Sequence, residues 1–216
     1  MGENVRFALY LAIAVIPSLV LHEYAHALTA TRLGDPTPKR WGRLTLNPKP
    51  HLDPFGSMIL PALAVILVAS GNGLAIVPIF AYAKPLPLDP SYLRDRSRHP
   101  VLVVLAGLLA NLAVAAVAGL AMRVGVSGDV LLFAYAVLLV NVFMLVIQLM
   151  PVPGLDGAKL LMRVLPPKPR EVYANLEQYL VLFVLVLFFV LAGPFRAIIE
   201  ALAGTVCRVV AGSDIC

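Results

Sequence analysis

The stretch FALYLAIAVIPSLVLHEYAHALTA, residues 7–30, decides how this chain is built. It is apolar and long enough, at about 1.5 Å of helical rise per residue, to cross the hydrocarbon core of a bilayer. Inside it stands His22-Glu23-Tyr24-Ala25-His26, an HExxH sequence. On a helix the two histidines, four apart, stack on one face and can share a metal ion. Glu23 lies about 100° around the helix from His22, where it can take a proton from water held by that ion. A hydrolytic metal centre on a membrane-spanning helix points to an enzyme that brings water to a bond within or beside the bilayer.

Composition agrees. Hydrophobic residues make up 60% of the chain and charged residues 13%, with mean hydropathy +0.89. That excess over soluble proteins, gathered in long blocks, predicts a polytopic α-helical membrane protein in which residues 1–216 form one domain. The net charge of +5 does not indicate nucleic-acid binding, because the basic residues cluster between apolar blocks, where they set membrane orientation. The first apolar run has no basic leader and carries the HExxH, so it is expected to be retained rather than cleaved as a signal peptide.

Four full spans are expected: Val5 to Ala30, Val101 to Met122, Val130 to Met150 and Tyr179 to Phe195. The core would cover about residues 5–165 and a C-terminal helix about 177–203, with an interfacial segment around Ile198 to Val210. Pro17 is expected to kink the first helix. Phe55 to Tyr82 is apolar but broken at Gly71-Asn72-Gly73, which suggests a membrane-inserted re-entrant hairpin. Arg43 to Leu46 alternates as a short β-strand would, within the 42–56 loop. Three loops, 31–54, 84–100 and 158–176, hold most of the Lys and Arg. The positive-inside rule puts them in the cytoplasm and both termini outside.

A catalytic zinc ion needs a third protein ligand and an open position for water. Counting from Arg32 at the cytoplasmic end, the histidines lie roughly 9–15 Å along the helix, so the ligand must come from a segment that reaches that depth. Asp156 is the best candidate: it follows a helix broken by Pro151, Pro153 and Gly154, and irregular backbone at that depth is tolerated where protein or a water-filled cavity surrounds it. Asp35, His51 and Asp53 are rivals in the basic loop; His51 and Asp53 are better read as ordering that loop. His99 reads as a solvated loop residue. Cys207 and Cys216 have no zinc-ligand spacing.

With HEYAH and Pro151-Val152-Pro153-Gly154-Leu155-Asp156-Gly157 both in hand, the chain resembles the site-2 protease family of intramembrane zinc metalloproteases. Ala106-Gly107-Leu108-Leu109-Ala110-Asn111 is similar to that family's Gly-Pro-x-x-Asn segment. Gly42 to Pro48, His51 to Gly56 and Ala83-Lys84-Pro85 are similar to its compact bacterial and archaeal branch. The resemblance implies one Zn2+ ion held by His22, His26 and Asp156, Glu23 as the base, and a transmembrane helix as substrate. Leu108 stands where the family often has Pro, and Gln148 where it often has Asn. Asn111 reads either as an interhelical hydrogen-bonder or, as a catalytic group, as a clamp on substrate backbone or oxyanion; Asn141 reads as the former. The small residues of 106–121 read as close helix packing.

The expected setting is the cell (inner, cytoplasmic) membrane, with the active site toward the cytoplasm. Expected partners are a membrane-embedded protein substrate and the lipid bilayer, with substrate selection by the membrane domain or a separate adaptor. A transporter or metal carrier is the first alternative; it accounts for the histidines but not for the adjacent Glu23. A non-catalytic family member that binds membrane segments is the second.

Overall fold

A computed structural model describes residues 3–69, 81–180, 182–183, 186 and 192–212. Its elements follow the apolar blocks: α1 (Glu3–Arg32), α2 (Thr37–Arg40), a π-type turn (Pro54–Ile59) leading into α3 (Leu60–Ala69), α4 (His99–Arg123), α5 (Gly128–Gln148), α6 (Asp156–Val164), α7 (Pro167–Asn175) and α8 (Ala192–Ala211). Helices α1, α4 and α5 are each long and apolar enough to cross a membrane. The apex of the expected hairpin, Gly71-Asn72-Gly73, and most of the expected span from Tyr179 to Phe195 lie outside the described residues.

These three long helices each pack on the other two, with α1 and α5 parallel and α4 antiparallel to both. At one end Arg6 pairs with Asp129 at 3.4 Å and Phe7 stacks on Tyr135. At the other end Arg94 donates its backbone N–H to the Leu33 carbonyl. Helix α1 runs through Pro17 without interruption. Leu11, Val15, Leu19, Leu138 and Met144 fill the space between helices, while Ile13, Leu109, Val117 and Leu120 point outward and are more than half exposed. An apolar exterior of this kind is what a hydrocarbon solvent requires. The polar side chains go inward instead: Asn141 Nδ2 on α5 donates to Ser18 Oγ on α1 at 2.8 Å, the interhelical bond expected of it.

Two sequence expectations change. No β-strand forms in the 42–56 loop among the described residues; its ladder contact is a single antiparallel bridge, Leu52 to Ala83. The reason is local. Thr45 Oγ1 accepts from Asn47 N–H and Asn47 Oδ1 from Lys49 N–H, and such short side-chain bonds compete with strand pairing. The C-terminal segment, expected to be interfacial, belongs to a continuous helix α8 packed on α4 and α5. Its end is tied to α4 by Arg123 Nε donating to the Ala211 carbonyl at 2.7 Å. Cys207 on α8 is buried; Cys216 lies outside the described residues.

Candidate metal centre and active site

His22, Glu23 and His26 occupy one buried turn of α1, with His22 and His26 no more than 3% exposed. The two Nε2 atoms are 2.9 Å apart. Each ring is held from behind by α4. His26 Nδ1 donates to the Val103 carbonyl at 2.6 Å, which leaves Nε2 with its lone pair free. His22 Nδ1 lies 3.2 Å from the Asn111 amide. For His22 Nε2 to offer a lone pair, Nδ1 must carry the hydrogen and the Asn111 carbonyl oxygen must accept it. Among the described residues that oxygen is otherwise buried without a partner.

Between Val103 and Asn111, one turn from each, stands Gly107. A Cβ there would overlap His26 Nε2 and Cε1 and stand 2.8 Å from His22 Cε1. Val103, Gly107 and Asn111 share one face of α4, so that face is shaped to receive the two rings. Gly107 was expected only to bring helices close; it makes room for the histidines.

Asp156 comes from the other side. Helix α5 ends at Gln148, and the chain turns through Gly154 with φ +91°, a conformation that favours glycine. Asp156 is the first residue of α6. Gly157 lets α6 start against the end of α5, since a Cβ there would overlap the Leu149 and Met150 carbonyls. This packing brings Asp156 Oδ2 to 3.2 Å from His22 Nε2 and 2.9 Å from His26 Nε2. The other carboxylate oxygen, Oδ1, accepts from Lys159 Nζ at 2.9 Å.

Three atoms with lone pairs thus meet at one buried point. A tetrahedral zinc with bonds of about 2.0–2.1 Å separates its ligands by about 3.3 Å, a few tenths more than the distances here. Among the described residues Asp156 Oδ2 is buried without a hydrogen-bond partner, so the donor set fits a cation. Among the described residues, ligand atoms of His22, Glu23 and His26 all lie within 4.8 Å of one another. Among the described residues Glu23 Oε2 is likewise buried without a hydrogen-bond partner.

A pocket of about 160 Å³ opens beside this cluster, lined by Glu23, Tyr82, Ala83, Gln148, Asp156 and Leu180 among others. Gln148 therefore faces the site. One wall is the segment around Tyr82. Tyr82 N–H donates to the Gly56 carbonyl and Lys84 N–H to the His51 carbonyl. Ser57 Oγ donates to the Tyr82 carbonyl, and Arg43 Nη1 and Nη2 to the Lys84 and Pro85 carbonyls.

The rival ligands lie elsewhere in structural roles. Asp53 Oδ1 accepts from Phe55 N–H and Gly56 N–H. His51 is buried and donates Nε2–H to the Thr45 carbonyl at 2.9 Å. Asp35 accepts from Thr37 N–H and Asp89 N–H. His99 sits at the start of α4 with Nδ1 accepting from Asp95 N–H at 3.2 Å. Sequence reasoning did not single out Val103 or Lys159. A backbone carbonyl leaves no residue signature, but Lys159 was findable, because a helix that begins at Asp156 puts the residue three later on the same face.

No family model matches the chain, and no solved structure matches it. Curated relatives do. The chain is 33% identical over 196 residues to a Bacillus subtilis protein named "Putative zinc metalloprotease YwhC", with 86% of this chain and 83% of that one covered. It is 34% identical over 203 residues to "Putative zinc metalloprotease Rip2" of Mycobacterium tuberculosis (strain H37Rv), covering 87% and 71%. The protein of that same name from Mycolicibacterium smegmatis is 34% identical over 176 residues, covering 79% and 62%. On identity and coverage together with its HExxH helix, this chain belongs to the zinc metalloprotease family of YwhC and Rip2, within the site-2 proteases.

Proposed function

We propose that this protein is a site-2-type intramembrane endopeptidase that hydrolyses peptide bonds in transmembrane segments of other proteins. The observation that carries this reading is the meeting of His22 Nε2, His26 Nε2 and Asp156 Oδ2 within 3.2 Å of one another, beside the Glu23 carboxylate. His22, His26 and Asp156 would hold one zinc ion. When bound, zinc supplies a Lewis acid that acidifies water and polarises a carbonyl.

The chain's own groups do the rest. Glu23 Oε2 accepts the proton of the attacking water and delivers it to the departing amine. The Val103 carbonyl and Asn111 fix the tautomer and tilt of the two rings. In this reading Asn111 is a positioning residue behind His22. Lys159 neutralises the outer oxygen of Asp156 and turns the inner one to the histidines.

A helical substrate hides its carbonyls in hydrogen bonds, so it must unwind to be cut. The pocket wall suggests how it is held. The N–H and C=O groups of Tyr82 and Lys84 are used on the 43–57 side. Alternation along an extended chain leaves those of Ala83 facing the other way. An unwound substrate strand can pair there, against the pocket that Ala83 and Pro85 line.

The proposed topology has four full spans and a membrane-inserted hairpin, with the three basic loops in the cytoplasm and the termini outside. In support, Arg94 and Leu33 meet at one end of the bundle and Arg6 and Asp129 at the other. The proposed location is the cell's cytoplasmic membrane, with substrates selected by the edge at Ala83.

Glu23→Gln tests the reading. The variant should keep zinc and lose cleavage of a single-pass substrate by at least about a hundredfold, in line with the loss of a general base. A metal carrier would keep its transport, and unchanged cleavage would reject the assignment.

A further inference from the structure

A second, larger pocket of about 430 Å³ shares Lys159 with the one beside the metal site. Its floor is apolar, with Val101 and Val104 of α4, Leu160 and Met162 of α6, and Leu88 and Leu93 of the connecting loop. Four cations line it: Arg96, Lys159, Arg163 and Arg170. Lys159 is matched by Asp156. The other three spend single N–H groups on carbonyls: Arg163 on Arg96, Arg170 on Leu165 and Arg96 on Ser91. Among the described residues none of these three lies within 4 Å of a carboxylate. Asp89 feels Arg96 only at longer range. Each guanidinium therefore keeps most of its five donors for something else.

The position of the pocket narrows what that is. It sits at the first turn of α4, where an apolar span meets its basic loop. Next to its floor, Leu102 is 46% and Val164 79% exposed, so the apolar surface continues outward. An inorganic anion would satisfy the arginines and leave the floor wet. A neutral lipid would do the reverse. An anionic amphiphile at the membrane boundary satisfies both, and basic pockets at helix ends bind such headgroups.

We propose that this pocket binds one anionic phospholipid, its phosphate on Arg96, Arg163 and Arg170 and its first carbons on the Val101–Leu160 floor. Because the walls are α4 and α6, the lipid clamps those two helices together. Helix α6 begins at Asp156 and α4 supplies the Val103 carbonyl to His26. The clamp thus sets how closely the carboxylate meets the histidines, a consequence that rests on the metal-site reading above.

The test uses the full chain in nanodiscs of phosphatidylcholine with or without phosphatidylglycerol, with retained lipid read by native mass spectrometry. This readout requires neither zinc nor cleavage, so it can fail or succeed independently of the proposed activity. Wild type should retain phosphatidylglycerol over phosphatidylcholine. Each arginine near the surface contributes about fivefold, so R96Q/R163Q/R170Q should lose on the order of a hundredfold in retention, while R96K/R163K/R170K keeps most of it. Amide exchange across Gly157 to Val164 should slow when phosphatidylglycerol is added to wild type and not to the glutamine variant. Equal retention of the two lipids, equal retention by the glutamine variant, or displacement by excess inorganic phosphate would overturn the proposal. So would arginine-dependent binding of an acidic peptide with no lipid preference, which would make the pocket a substrate site.

Discussion

The rings of His22 and His26 lie on the bare Cα of Gly107, and no other residue leaves them that room. Gly107→Ala should therefore push the imidazoles off their positions while leaving the bundle folded, at a cost of about 1–3 kcal/mol for overpacking. Zinc affinity should fall by at least about tenfold, the range seen when ligand support is disturbed, as read by competition with a zinc-binding dye. Gly204→Ala on α8 is the control: a Cβ there meets no described residue within 4 Å, and zinc binding should not change. Equal zinc affinity in the two variants would contradict the geometry.

Asn111 holds His22 through Nδ1. Asn111→Ala should weaken zinc binding by about 10–100-fold, and Asn111→Asp, which keeps an acceptor for Nδ1–H, should recover much of it. If Asn111 acted on substrate alone, both variants would bind zinc like wild type and differ only in cleavage. Zinc affinity and kcat measured on the same preparations separate the two roles.

The edge at Ala83 makes a different prediction. Gly56 lies under the Tyr82 ring, and a Cβ there would stand 2.6 Å from three ring carbons. Gly56→Ala should shift Tyr82 and the strand-like segment with it, lowering cleavage on the order of tenfold for about 1–2 kcal/mol of misplacement. Zinc content should stay at the wild-type level. Arg43→Gln, which removes the bonds to the Lys84 and Pro85 carbonyls, should act in the same direction. Full cleavage in both variants would reject docking at this edge.

Much of this was legible in the residues. HEYAH in an apolar run gave the metal helix, because the i, i+4 spacing and the surrounding hydropathy are both local signals. Asp156 was reachable because the breaks at Pro151, Pro153 and Gly154 mark the irregular backbone that can turn a carboxylate inward. Asn111 reads in sequence either as an interhelical hydrogen-bonder or as a substrate clamp, and the fold sets its amide behind His22. The Val103 carbonyl was not legible at all, since any residue offers one. Gly107 was read as a packing glycine, because sequence gives the absence of a side chain but not what moves into the gap. The alternation at Arg43 to Leu46 suggested a strand, and the turns made by Thr45 and Asn47 overrode it.

In the proposed site two histidines on α1 and a carboxylate at the start of α6 hold one zinc ion. Zinc per chain, measured on purified wild type, Glu23→Gln and Asp156→Ala under one limiting chelator concentration, tests it most directly. Wild type and Glu23→Gln should each hold one zinc, and Asp156→Ala should lose most of it. Asp156→Ala retaining zinc as wild type does would contradict it.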